Sequence, residues 1–385
     1  MPPHIHFTEG EFKLRQRRAA ECLTREGLDA LLMFRQESMY YLTGYDTFGY
    51  VFFQCLVMTA DARLLLLTRA PDLRQARFTS LIDDVRVWQD RDGANPAHDL
   101  RQILTEMGLG EGRLGVEFDS HGLTAHNYRR LVEGLAGVAQ LEDASGLVNA
   151  LRLVKSPAEL AYVRRAGELG DAAWSAAVTA AAPGADEGDI LADMHSAIFR
   201  AGGDDPANEF IIGSGPGAMM CRYYSGRRRL AAQDQLTLEF AGTYRHYHAA
   251  LMRTLAIGRA PQRQRDLYQS ATNALLACEA SLTPGRTVGE VYKAHADSLD
   301  AAGLAPYRLN ACGYSLGAVY APSWMDWPMI YADNPLVLEP NMVFFLHMIV
   351  FDDDTGIAAT VGRTSIVTEH NPEPVSRASL DLVVT

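Results

Sequence analysis

The hydrophobic pattern along this chain shifts between two periods. EGEFKLRQRRAAECLTREG (9–27) repeats its apolar residues at helical spacing, LDALLMF (28–34) reads as a buried strand, and CLVMTADARLLLLT (55–68) reads as a hairpin around a polar turn. VRVWQ (85–89) and RLGVEF (113–118) read as further strands, separated by a helix around residues 97–108. This alternation predicts an α/β domain over residues 1–150.

A sharp helix start opens the rest, predicted as a second domain over 151–385. Ser156 as N-cap, Pro157 at the first helical position and Glu159 three residues after the cap form a capping box. Leu160, Val163, Ala166, Leu169 and Ala173 carry the apolar stripe onward. Within this part PGADEGDILADMHSAIFRAGG begins at Pro183-Gly184, and PGRTVGEVYKAHADSLDAAGL begins at Pro284-Gly285. Both place a helix of equal length between a Pro-Gly entry and an Ala-Gly exit. Either two Pro-Gly-started helices coincide by chance, or an α+β domain is duplicated and its site lies between the halves.

Period two returns at 236–254. Leu236, Leu238 and Phe240 alternate with Thr237, Glu239 and Ala241, a Gly-containing turn follows, and a second alternating run passes through Tyr247 and Leu251. A hairpin of this kind sets Glu239 across from His248 and Ala250, which share a face because strand side chains repeat every two residues. A lone carboxylate and an imidazole on an otherwise apolar hairpin are candidates for acid/base chemistry.

Composition narrows the function classes. The formal charge of −12 disfavours nucleic acid, whose binding rests on neutralising phosphates. No run of 18 uncharged apolar residues is present, so no membrane partner is expected. The first residues lack the apolar stretch of a secretory signal, and the five cysteines are scattered with no C-x-x-C pair. A cytoplasmic location follows as the expectation. G-x-S-x-G, H-E-x-x-H and P-loop motifs are absent.

LRLVKSPAEL, the two half-repeats, LEFAGTYRHYHAALMRT, GYSLG, LEPNMVFF and TSIVTE, in this order and spacing, resemble the creatinase/aminopeptidase P/prolidase family, and MYYLTGYD (39–46) resembles its N-terminal domain. The resemblance implies a creatinase-type α/β N-terminal domain, an α+β pita-bread catalytic domain with an internal pseudo-twofold repeat, and a homodimer. Family peptidases hold two divalent metals with two Asp, one His and two Glu. At those positions this chain has Glu239, Ala250, Tyr314, His347 and Gly362, and Arg222 stands where the peptidases use a histidine near the substrate. The resemblance therefore implies no cofactor here and points to the metal-independent creatinase and ectoine hydrolase branch, the latter through EFAGTYRHYH and GYSLGAVYAPSW.

On that reading the expected reaction is hydrolysis of a C–N bond in a small zwitterionic nitrogen compound. Glu239 is the candidate nucleophile or base, His248 the proton shuttle, Tyr314 a donor to developing charge, and His347 an acid/base or a cavity filler. Arg222 offers a fork for a substrate carboxylate, and Tyr320, Trp324 and Trp327 offer aromatic faces to a cation. Two alternatives stay open: a pseudoenzyme that binds through the same pocket, and an Xaa-Pro dipeptidase-type metallopeptidase.

Overall fold

The computed structural model describes residues 3–222 and 226–385. The chain divides into two compact units, Met1–Arg152 and Leu153–Thr385.

The first unit carries strands β1 (Ala30–Met33), β2 (Cys55–Thr59), β3 (Leu64–Arg69), β4 (Asp84–Trp88), β5 (Arg113–Val116) and β6 (Gln140–Asp143) in one six-stranded sheet, in the order β4-β3-β2-β1-β5-β6. Its helices are α1 (Glu9–Glu26), α2 (Gln36–Thr43), α3 (Ala70–Thr79), α4 (Pro96–Glu106), α5 (Ala125–Leu135) and α6 (Ser145–Leu153). The predicted hairpin is β2–β3, antiparallel, whereas β3–β4, β1–β5 and β5–β6 are parallel. Strands β1 and β2 are buried along their whole length, which explains why they read as unbroken apolar runs.

In the second unit, helix α7 (Pro157–Ala180) begins with the predicted capping box, and its stripe of Leu160, Val163, Ala166, Leu169 and Ala173 is buried. Helix α8 (Glu187–Arg200) follows, then strands β7 (Ile211–Ser214), β8 (Asp234–Tyr244) and β9 (Tyr247–Ile257). Helices α9 (Gln262–Ser281) and α10 (Val288–Ala301) open the second half, before β10 (Ala311–Ser315), β11 (Asp326–Tyr331), β12 (Val343–Asp352), β13 (Ile357–Ile366) and the short β14 (Glu373–Pro374). One eight-stranded sheet runs β11-β10-β12-β13-β9-β8-β7, with β14 paired to β13.

The internal repeat is visible in backbone geometry. Helices α8 and α10 both have 14 residues, and each is preceded by a Pro-Gly turn whose glycine takes positive φ, 85° at Gly184 and 86° at Gly285. The central strands β9 and β13 pair about Met252 and Gly362. Helix α7 packs tightly on β8, where a Cβ on Gly242 would lie 2.0 Å from the Ala166 carbonyl oxygen. Among the described residues no helix is long and apolar enough to cross a membrane.

The hairpin register differs from the expected one. Strand β8 runs past Gly242 to Tyr244, and the turn is the pair Arg245 and His246, both at positive φ (50° and 66°). A two-residue turn of this kind fixes the pairing, so Met252 lies opposite Glu239, Ala250 opposite Ala241, and His248 opposite Thr243. Parity holds, and Glu239, Ala250 and His248 share a face, but His248 is displaced four residues along the strand from a position opposite Glu239.

Candidate active site

The sheet gathers two rows of side chains on one face. Cross-strand pairing runs His347 to Gly362, Gly362 to Met252, and Met252 to Glu239. The adjacent row contains Tyr314 and Phe345, with Phe345 paired to Thr364. Directly paired residues project to the same side, so the five positions singled out by resemblance, Glu239, Ala250, Tyr314, His347 and Gly362, all face one way.

At the centre is a directed hydrogen-bond chain. The Trp324 indole Nε1–H donates to the Tyr314 hydroxyl at 2.8 Å, and the Tyr314 hydroxyl donates to Glu239 Oε1 at 3.2 Å. All three are buried, with Trp324 1%, Tyr314 3% and Glu239 6% exposed. The Trp324 main-chain N–H donates to Asn208 Oδ1 at 2.9 Å, which fixes the loop ahead of β11.

Burial dominates the titration of this cluster. It pushes the Glu239 carboxyl up to about 7, against the lowering pull of the Tyr314 hydrogen bond and the Arg222 charge. It raises the Tyr314 phenol well above its ordinary value, and the neighbouring Glu239 charge adds to the effect. His347 is pushed down to about 3 by burial first, then by the charges of His295 and Arg222, so its imidazole is neutral. Its Nδ1 has no hydrogen-bond partner among the described residues, and its ring centroid lies 5.6 Å from that of Tyr314.

The structure thus brings Glu239, Tyr314, Trp324 and His347 together, with the exposed Arg222 near enough for its charge to act on three of them. Tyr223, Tyr224 and Ser225, which follow Arg222, lie outside the described residues. His248 is held differently. Its Nε2 accepts from the Ala207 N–H at 2.9 Å, and its Nδ1 faces the His246 carbonyl oxygen at 2.8 Å. Both nitrogens are committed to main chain, and burial pushes the imidazole down to about 3, so it has the geometry of a neutral brace beside Trp324, 6.3 Å away ring to ring. Tyr320 stacks on His246 at 4.1 Å, and Trp327 is 47% exposed on the edge strand β11.

Two contributors escaped sequence reasoning. Asn208 anchors Trp324 from a distant loop, with no local signal. Met252 stands in the row between Gly362 and Glu239, and the turn Arg245-His246 was the feature that could have located it. Cys312 lies in the core against Cys278, away from this cluster.

Known proteins share the fold. Residues 15–154 match the Creatinase/Prolidase N-terminal domain, and residues 161–370 match Metallopeptidase family M24. The chain belongs to this creatinase, aminopeptidase P and prolidase family. It is 30% identical to the uncharacterized hydrolase/peptidase y4tM of Sinorhizobium fredii, over 99% of both chains. It is 26% identical to the ectoine hydrolase of Halomonas elongata, over 97% of this chain and 96% of that one. The Xaa-Pro dipeptidase from Bacillus anthracis shares the fold, with a TM-score of 0.84 at 20% identity over 97% of this chain and 100% of that one. The relatives are hydrolases and peptidases, and enzymatic hydrolysis is the coarse reading they support.

A family of metallopeptidases raises the question of a dinuclear metal centre, and the donors answer it. Of the five positions, Ala250 and Gly362 offer no side-chain donor, and Tyr314 holds its proton and gives it to Glu239 in a hydrogen bond. A single carboxylate and one neutral imidazole remain, at the two ends of a four-residue row. Among the described residues no group of three or more His, Cys, Asp or Glu converges. This donor set does not fit two divalent ions, which need several hard oxygen ligands between them. Gly362 has also closed to a larger side chain: a Cβ there would lie 2.7 Å from the Leu346 carbonyl oxygen and 3.0 Å from Phe345 Cε2.

Proposed function

We propose that this chain is a metal-independent hydrolase that opens a C–N bond in a small zwitterionic amidine, of the kind the ectoine hydrolase relative acts on. The observation that carries the reading is the buried chain Trp324, Tyr314, Glu239, built on the face where the family's peptidases hold metal. A carboxyl titrating near 7 is half ionised at neutral pH, which suits a general base that must afterwards act as an acid.

Glu239 in its ionised form takes a proton from water as the oxygen adds to the amidinium carbon. The resulting carboxylic acid returns that proton to one nitrogen as the C–N bond breaks, and the proton of the added hydroxyl passes to the departing amine, leaving an amide and an ammonium group. Direct attack by the carboxylate is the other route open to the same residue. Before reaction the carboxylate also pairs with the amidinium charge. The Tyr314 hydroxyl, its orientation set by Trp324, stabilises the ionised form of Glu239. The Arg222 guanidinium, already acting on this cluster, suits the substrate carboxylate. His347 Nδ1, without a partner among the described residues, can accept a hydrogen bond from a substrate N–H. His248 braces the hairpin in this scheme and transfers no proton. A homodimer in the cytoplasm belongs to the same proposal, on the family resemblance and the unpaired cysteines.

Proton NMR of ectoine incubated with chelator-treated protein, wild type beside Glu239→Gln, tests the reading. Ring opening that survives the chelator and disappears in the variant is expected. Turnover that needs added metal would refute the mechanism. A second reading, a binding protein without turnover, is favoured by the side-chain-poor positions Ala250 and Gly362. Saturable ectoine binding without any ring opening would establish it.

A further inference from the structure

The back of the second sheet holds a charge that the proposed chemistry does not use. Arg253 follows Met252 on β9, so it projects from the opposite face, and it is 0% exposed. Its Nη1 donates to the carbonyls of Met252 and Gly362, the two residues standing between Glu239 and His347 on the other side. Among the described residues neither Nε nor Nη2 has a hydrogen-bond partner. A guanidinium does not give up its proton in a protein, so a full positive charge sits in the core with unanswered N–H groups.

The local two-fold shows what an answered arginine looks like. Strands β9 and β13 pair with Arg253 opposite Val361 and Arg363 opposite Leu251, which makes the two arginines symmetry counterparts about Met252 and Gly362. Arg363 donates through Nε and Nη2 to both oxygens of Glu279, each at 2.6 Å. Glu279 lies five residues before Pro284, and five residues before Pro183 the chain has Val178. The first half has therefore kept the arginine and lacks its carboxylate.

Among the described residues no acid accepts from these N–H groups, although the charges of Asp171 and Glu279 reach the guanidinium. Asp171 accepts from the Ser376 hydroxyl and the Arg377 N–H, Glu279 is held by Arg363, and Asp381 accepts from the Ser379 hydroxyl. Tyr268 on α9 is within electrostatic reach of Arg253, and its buried hydroxyl is also without a partner among the described residues. Trp174 on α7 closes the other side, 5.9 Å from the guanidinium carbon.

We propose that Arg253, with the Tyr268 hydroxyl, binds a small monovalent anion of the halide class in the seam between α7 and α9. Complete burial of Arg253 leaves no approach for a substrate-sized carboxylate, which is why the occupant is small. The anion holds the guanidinium in the orientation that ties the Met252 and Gly362 carbonyls, and so steadies the row that carries Glu239 and His347. The inference is independent of the reaction proposed above.

Crystals of the full-length protein grown in sodium bromide, with anomalous data at the bromine edge, test it directly. Thermal melts in sodium chloride and in sodium gluconate at equal ionic strength, for wild type and Arg253→Met, supply the second readout. The expected result is an anomalous peak within hydrogen-bonding distance of Nη2, and a saturable chloride-dependent rise in wild-type Tm of about 2 °C or more that the variant lacks. No bromide peak, with ordered water there instead, overturns the proposal whatever the melts show. A chloride effect that persists in Arg253→Met also overturns it, because the anion would then act elsewhere. If the variant does not fold, the wild-type anomalous map alone decides.

Discussion

The two halves of the second unit share a frame and differ in chemistry. Each has a Pro-Gly turn with a positive-φ glycine, a 14-residue helix after it, and a long hairpin meeting the other at Met252 and Gly362. The first hairpin presents a carboxyl to the site and leaves an arginine without a carboxylate behind it. The second presents a neutral imidazole and pairs its arginine with Glu279. Caps, turns and apolar faces fix the frame, and many sequences satisfy them. In the proposed reaction one buried side chain sets the chemistry, because desolvation in the sheet core shifts its protonation by several kcal/mol.

The largest way to break the comparison is Glu239→Gln. Removing a general base of this kind costs roughly 10²–10⁴-fold in rate. The same variant should gain stability where the wild-type carboxyl is forced to ionise. Below about pH 4.5 the carboxyl is protonated in folded and unfolded chains alike, and the two proteins should be equally stable. As pH rises from 4.5 to about 7 only the unfolded chain ionises, so wild-type stability falls, by about 3 kcal/mol in full. Urea melts of both proteins at pH 8 and pH 4.5 check this. Equal stability at pH 8 would mean that Glu239 is not desolvated as the structure has it.

The histidines run the opposite way. His248 and His347 are pushed down to about 3 and His295 to about 4, so all three stay neutral in the fold while the unfolded chain takes up protons below pH 6.5. Their contribution is present above 6.5 and lost on acidification. Between pH 6.5 and 4.5 these three imidazoles lose stability and Glu239 regains part of it, so these four groups together should lower wild-type stability by about 3 kcal/mol per pH unit. Glu239→Gln, without the compensating carboxyl, should fall more steeply over the same window.

Legibility in the sequence followed the same division. Ser156, Pro157 and Glu159 declared a helix start, and the two Pro-Gly entries declared the repeat, because caps and turns act through neighbours in the chain. The shared face of Glu239, Ala250 and His248 was legible from strand parity. The residue opposite Glu239 was not, since register depended on Arg245 and His246 adopting positive φ, a conformation that a search for glycine passes over. Nor could sequence show that the His248 nitrogens are taken by Ala207 and His246, or that Asn208 holds Trp324. Those contacts join loops far apart in the chain.

Gly362→Ala probes the second half next. A Cβ would meet the Leu346 carbonyl oxygen at 2.7 Å, so the central strands must shift, at a cost of about 1–3 kcal/mol in a melt. Unchanged stability would show that the row between Glu239 and His347 has room, and would reopen the position to a larger ligand residue. Tyr314→Phe is expected to cost a similar or smaller amount, about 1–2 kcal/mol, by orphaning the Trp324 indole N–H and one oxygen of Glu239. Its distinguishing readout is the pH profile. The Tyr314 hydrogen bond lowers the Glu239 pKa, so its loss should move the acidic limb of kcat above about 7. A limb that stays in place would detach Tyr314 from the titration of Glu239.

The smallest effect is expected at Trp327, and it separates two tryptophans of one segment. Trp324 is 1% exposed and donates into the Tyr314 and Glu239 chain, whereas Trp327 is 47% exposed on the edge strand β11. An exposed side chain away from caps and buried polar groups contributes within about 0.5 kcal/mol. Trp327→Ala should therefore melt like wild type and change kcat and KM less than about twofold, since uniform binding lost at a pocket wall would appear in KM. A tenfold rise in KM with kcat unchanged would instead place the indole on the substrate, and would extend the site from the buried rows of the sheet to its exposed edge.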